Sequence, residues 1–168
     1  LSGNIHLEKT KFGCWIASGR EAYSCYIYFA IKERNPSYCE KLDYYNNRNF
    51  CYEKIAKELE DPSLCTKISF PMRDKIILGE TTMFRQLFVR ASIDNCYLST
   101  AITSGNYKYC NLISNEDLNE TYNTWRNVTY DRKTFCYTNL SLTNNNHSVC
   151  NFINYSNEKR QACLSLFN

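Results

Sequence analysis

Arg48-Asn49-Phe50-Cys51-Tyr52-Glu53-Lys54-Ile55-Ala56-Lys57-Glu58-Leu59-Glu60-Asp61-Pro62-Ser63-Leu64-Cys65 holds a helix, its end and the start of the next helix. Phe50, Tyr52, Ile55, Ala56 and Leu59 recur near a 3.6-residue period, which predicts one buried helical face. Asp61 then offers a side-chain oxygen to the free amides of a first helical turn. Pro62 takes the first helical position, where its missing N–H does no harm.

Aligned on this stretch, the chain repeats. Cys recurs fourteen residues apart at Cys25 and Cys39, Cys51 and Cys65, Cys96 and Cys110, and Cys136 and Cys150, with Cys14 and Cys163 towards the ends. The first of each pair precedes Tyr26, Tyr52, Tyr97 or Tyr137, and five residues on from it comes a small side chain, Ala30, Ala56, Ala101 or Ser141. Cys163-Leu164 opens a degenerate copy. Around the other cysteine of each unit stand N-cap types four residues before, at Thr10, Asn35, Asp61, Asn106 and Asn146, and Ala17, Leu42, Ile68, Ile113 and Ile153 three residues after.

Five coincidences in one register predict an all-α solenoid of five hairpins, each a short capped helix, a turn and a longer helix carrying Cys-Tyr. The units cover about 10–33, 35–60, 61–104, 106–142 and 146–168 of a single domain, 1–168. The longer helices are clearest over 20–33, 48–60, 83–103 and 132–142.

In an antiparallel hairpin, residues equidistant from the turn face each other. Turns at Ser18-Gly19, Tyr45-Asn46 and Tyr155-Ser156 lie nearly midway between Cys14 and Cys25, Cys39 and Cys51, and Cys150 and Cys163, which predicts those bridges. Analogy adds Cys65 to Cys96 and Cys110 to Cys136. Insertions at about 69–82 and 114–130 then sit at hairpin tips. The first is apolar, with Ile76, Ile77, Leu78, Phe84, Leu87 and Phe88 expected to pack on something. The second is polar and reads as a solvated loop.

A chain of 168 residues can bury a core without covalent help, so ten cysteines need another reason. An even, dense set points to an oxidising compartment, extracellular or at the cell surface. The net charge of +3 is interspersed, which gives no nucleic-acid footprint. No apolar run approaches the ~20 residues of a membrane span. The first residue is Leu1 with no signal-peptide pattern, so the expectation is a removed leader or an upstream anchor.

Catalytic and metal chemistry find little material. There is no C-x-x-C pair, and the histidines are His6 and His147 alone. Five glycines form no phosphate loop. Glu58, Glu60 and Asp94 read as solvated helix faces. No catalytic residue, cofactor or metal is expected. Tyr26, Tyr52, Tyr97 and Tyr137 read as packing residues, whereas Tyr44, Tyr45, Tyr107, Tyr109 and Tyr122 lie near turns and are better placed for contacts between molecules. Sequons begin at Asn119, Asn127, Asn139, Asn146 and Asn154, while Pro36 blocks the one at Asn35. Glycans are expected, first at Asn119 or Asn127.

The run 48–56 followed by Asp61-Pro62-Ser63-Leu64-Cys65-Thr66-Lys67-Ile68 resembles repeats of archaeal surface proteins that look like cysteine-containing relatives of tetratricopeptide hairpins. The resemblance implies a helical solenoid and supplies no activity.

The expected function is therefore structural: an extracellular glycoprotein, subunit of a head-to-tail filament or surface assembly. Its partners are copies of itself and covalent glycans. The last stretch, Cys163-Leu164-Ser165-Leu166-Phe167-Asn168, stops in mid-repeat, which makes Leu164, Leu166 and Phe167 the expected assembly contact. The alternative is a secreted binding module that holds a peptide or glycan on a concave face. An inhibitor or toxin is a third class, for which no exposed rigid loop stands out.

Overall fold

The computed structural model describes Cys14 and residues 19–69, 82–114 and 131–168. Among these, all regular structure is helical. The α-helices are α1 (Gly19–Lys32), α2 (Ser37–Glu40), α3 (Tyr45–Leu59), α4 (Thr82–Ser104), α5 (Arg132–Thr143) and α6 (Asn157–Leu164). Between them lie the 3-10 helices η1 (Pro62–Lys67), η2 (Tyr107–Leu112), η3 (His147–Phe152) and η4 (Ser165–Phe167). Thr10, Ala17 and the bodies of both insertions fall outside the described residues. No helix among the described residues is long and apolar enough to cross a membrane.

The cap residues act as caps, but three of the elements they start are 3-10 helices of six residues. The side-chain oxygen of Asn35, Asp61, Asn106 or Asn146 accepts from the amide two residues on, at Ser37 (3.0 Å), Ser63 (3.0 Å), Lys108 (3.1 Å) and Ser148 (3.1 Å). At the far end the amides of Leu42, Ile68 and Ile113 close on the carbonyl of the unit's cysteine at 3.2 Å, and that of Ile153 at 3.0 Å. An i-to-i+3 closure at the end of so short a run favours the tighter helix.

The longer helices stop by one device. Arg34, Glu60, Gly105 and Asn145 take positive φ of 50°, 55°, 68° and 46°, each directly before a cap residue. That turn lets the cap amide reach back six residues' span: Asn35 donates to the Ala30 carbonyl (2.9 Å), Asp61 to Ala56 (2.9 Å) and Asn146 to Ser141 (2.8 Å). Asn106 instead donates to the Ser104 hydroxyl (3.3 Å). A single left-handed residue thus ends one unit and aims the next.

The small side chains five residues after the Cys-Tyr cysteines are fully buried, at Ala30, Ala56, Ala101 and Ser141. In the fourth unit the reason is visible, since the Ser141 hydroxyl lies 3.5 Å from the sulfurs of Cys150 and Cys163, the next unit's bridge. The main packing partners of each element are the elements adjacent or next but one along the chain. Two buried clusters result, one from Cys14 to Cys96 and one from Ala101 to Cys163, and Tyr97 packs against both.

Two expectations need correction. Phe50 does not join the buried face of α3; it is exposed, beside Tyr23 at 5.9 Å with the Lys54 ammonium 5.8 Å over its ring. Asp94 is not solvated but buried, and its carboxylate accepts from the Ser114 amide (3.0 Å) and hydroxyl (2.5 Å). One unit earlier Asn49 does the same to Ser69, accepting from its amide (3.0 Å) and donating to its carbonyl (2.9 Å). Asn49 and Asp94 both stand two residues before a long-helix cysteine, and Ser69 and Ser114 both stand four after a short-helix cysteine. These clasps tie Ser69 and Ser114, where the two insertions begin, to α3 and α4.

Candidate functional site

The feature that recurs in every unit is the covalent one. The bridges join Cys14 to Cys25, Cys39 to Cys51, Cys65 to Cys96, Cys110 to Cys136, and Cys150 to Cys163, with Cα atoms 5.3 to 5.7 Å apart. These are the pairs read from hairpin midpoints and by analogy, and no cysteine is left free. All ten are buried, so the sulfurs face protein rather than solvent. Burial of this kind restricts reductants as well as water.

The Cys-Tyr tyrosines line the same seam. Tyr26, Tyr52 and Tyr137 are buried. The Tyr52 hydroxyl donates to Glu40 (3.4 Å) and the Tyr137 hydroxyl to Asn111 (2.5 Å), each of them the residue after the opposite cysteine of its own bridge. Burial pushes the Tyr137 phenol up to about 12, so it remains a donor throughout the physiological range. Of the turn tyrosines, Tyr44 is strongly exposed, but Tyr107 lies 4.6 Å from the Phe152 ring and Tyr109 donates to the Glu60 carbonyl at 3.2 Å. Those two serve contacts within the chain. Tyr122 lies outside the described residues.

A polar cluster joins α5 and α6. Asp131 caps α5 by accepting from the Thr134 amide (3.0 Å) and hydroxyl (2.6 Å), and its carboxylate also takes Lys159 of α6 at 2.7 Å. Thr134 and Tyr155 share a hydrogen bond of 2.7 Å. Burial pushes the Asp131 carboxyl up, but the bonds from Lys159 and Thr134 and the Lys159 charge outweigh it and leave it below the ordinary aspartate value. Burial raises the Tyr155 phenol, and it lowers Lys133 against the pull of Asp131 and Asp94. This cluster is not legible in the sequence, because its members lie up to 28 residues apart and none belongs to a recognised motif.

The remaining expected sites are scattered. Asn119 and Asn127 lie outside the described residues; Asn139 is half-buried in α5, and Asn146 and Asn154 are exposed. His147 faces the Phe167 ring at 6.1 Å, and His6 is not described. Leu164 and Phe167 pack inward on the second cluster, which leaves Leu166, 53% exposed, as the outward member of the expected assembly contact. No His, Cys, Asp and Glu group among the described residues has the makings of a metal site. No protein family, curated protein or solved structure matches the chain.

Proposed function

We propose that this chain is an extracellular structural protein: a solenoid of disulfide-stapled, tetratricopeptide-like hairpins that serves as a subunit of a filament or surface assembly. The observation that carries the reading is the single register of the bridges, one within each successive unit, all buried. A stack whose units touch chiefly their neighbours lacks a deep common core, and a covalent staple in each unit compensates locally. In the chain-entropy model a closed loop of a dozen residues contributes about 3 kcal/mol. Such durability is useful outside the cell, where thiols are oxidised.

The way the units meet supports assembly over catalysis. The junction at Ser141 is heterologous, with a small residue of one unit facing the bridge of its successor, and a junction of that kind made between copies yields a helical fibre when the rotation does not close. Leu166, exposed while Leu164 and Phe167 pack on the second cluster, is the apolar side chain we assign to that contact. Covalent glycans on the sequons would shield the sides of the assembly.

Negative-stain electron microscopy with light scattering on the oxidised, glycosylated protein tests the reading. Regular filaments that Leu166→Asp disperses are the expected result. Discrete monomers at every concentration would overturn it in favour of a binding module.

A further inference from the structure

We propose that Asn154 is the carbohydrate attachment site of the described part of the chain, and that the sequons at Asn139 and Asn146 are by-products of the repeat. The proposal rests on the extracellular reading above. An N-glycan acceptor needs its asparagine amide and the hydroxyl two residues on to be presented at the surface, which places such sites in exposed loops. The three sequons differ in burial and in what holds the asparagine.

In Asn139-Leu140-Ser141 the serine hydroxyl is out of reach. Leu140 and Ser141 are fully buried in α5, and the hydroxyl donates to the Thr138 carbonyl at 2.9 Å while resting against the next bridge. Serine stands here at the fully buried position that Ala30, Ala56 and Ala101 fill in the other units.

Asn146-His147-Ser148 is the cap motif. The Asn146 oxygen accepts from the Ser148 amide (3.1 Å) and hydroxyl (2.6 Å). Asp61 makes the same two bonds to Ser63, at 3.0 and 2.6 Å, with a carboxylate that takes no glycan. Capping therefore accounts for both residues of this sequon, and it ties their polar atoms to each other.

In Asn154-Tyr155-Ser156 capping accounts for the serine alone: its half-buried hydroxyl accepts from the Lys159 amide (3.3 Å) and starts α6, while the asparagine takes no part in the cap. Asn154 is exposed in the non-helical link between η3 and α6. At the two earlier junctions the residue in its place, Ser69 or Ser114, is held by the clasp from Asn49 or Asp94. At this junction the clasping position is Thr134, and it takes Tyr155 instead (2.7 Å), one residue further on. The Lys133 and Lys159 ammonium groups each sit 5.9 Å from the Tyr155 ring, so the turn is held from two helices. The shift leaves Asn154 displayed on a fixed turn.

The modification is transfer from a lipid-diphosphate-linked oligosaccharide. The Asn154 Nδ2 to anomeric carbon bond forms as the carbon to diphosphate oxygen bond breaks. The lipid diphosphate leaves with the electron pair, and the Nδ2 proton passes to a base of the transferase.

The test is site-by-site glycopeptide mapping of the full oxidised chain secreted from a cell that N-glycosylates, with enzymatic glycan release in heavy-oxygen water to mark each occupied asparagine. The mark is expected at Asn154 and not at Asn139 or Asn146. Asn154→Gln should remove one glycan's mass, while Asn139→Gln and Asn146→Gln leave the mass of the glycan complement unchanged. A mark on Asn139 or Asn146, or an empty Asn154 beside an occupied Asn119 or Asn127, overturns the proposal and leaves the extracellular reading standing. An absence of glycan at every sequon overturns this proposal together with the glycoprotein part of that reading.

Discussion

The Ser141 hydroxyl lies 3.5 Å from the Cys163 sulfur, so the end of one long helix rests on the covalent bridge of the unit that follows. Ala30, Ala56 and Ala101 hold the same place in the earlier units and are likewise fully buried. Ser141→Leu should overpack the junction and destabilise the chain by about 1–3 kcal/mol. Ser141→Ala reproduces the other units and should cost about 1 kcal/mol or less. Urea unfolding at constant slope separates the two outcomes.

Glu60 and Asp61 make opposite predictions although they are adjacent. Glu60 sits at φ 55°, where glycine is unstrained, so Glu60→Gly should stabilise by about 0.5–1 kcal/mol. Asp61 caps η1, and Asp61→Ala should cost about 0.5–2 kcal/mol. Opposite shifts of the thermal midpoint are the expected readout; shifts of the same sign would remove the cap-and-reversal account.

The bridges should differ by loop length. Cys39 and Cys51 are 12 residues apart, Cys65 and Cys96 31 apart. Replacing the first pair by Ser should cost about 3 kcal/mol, and replacing the second about 1 kcal/mol more, if closing the unfolded loop is what each bridge does. Equal losses in the two double variants would point to native-state packing instead.

Much of this architecture is legible from residue types at fixed spacing, and what is not legible depends on contacts across the chain. Asn35, Asp61, Asn106 and Asn146 announce themselves as caps, and the long helices fall within a few residues of the expected bounds; α3 starts at Tyr45 rather than Arg48. Six residues are too few for periodicity to separate a 3-10 helix from an α-helix, so the character of η1, η2 and η3 was hidden. The left-handed positions were hidden too, because Arg34, Glu60 and Asn145 share no side-chain chemistry and only Gly105 carries the usual signal. Asn49 with Ser69 and Asp94 with Ser114 are each 20 residues apart, and no local rule joins them. Asp94 looked solvated for that reason. The Asp131 cluster was beyond reach on the same ground.

Acid should loosen the last two units through Asp131. Its folded carboxyl lies below the ordinary aspartate value of 3.8, so its stabilising effect is fully present well above that pH and is lost as the pH falls through the lower, folded value. Asp131→Asn should cost about 1–2 kcal/mol at neutral pH, from the weakened bonds to Lys159 and Thr134. The gap between wild type and variant should narrow below about pH 4. Unfolding midpoints measured from pH 7 downwards check the sign; a gap that widens on acidification contradicts it.

The most direct test of the stapled-hairpin account is peptide mapping of the oxidised chain without reduction. The account predicts disulfide-linked peptides joining Cys39 to Cys51, Cys65 to Cys96 and Cys110 to Cys136, with Cys14 to Cys25 and Cys150 to Cys163 beside them. A link from Cys25 to Cys39 or from Cys51 to Cys65 would put bridges between units rather than within them, and would contradict the register on which the proposed function stands.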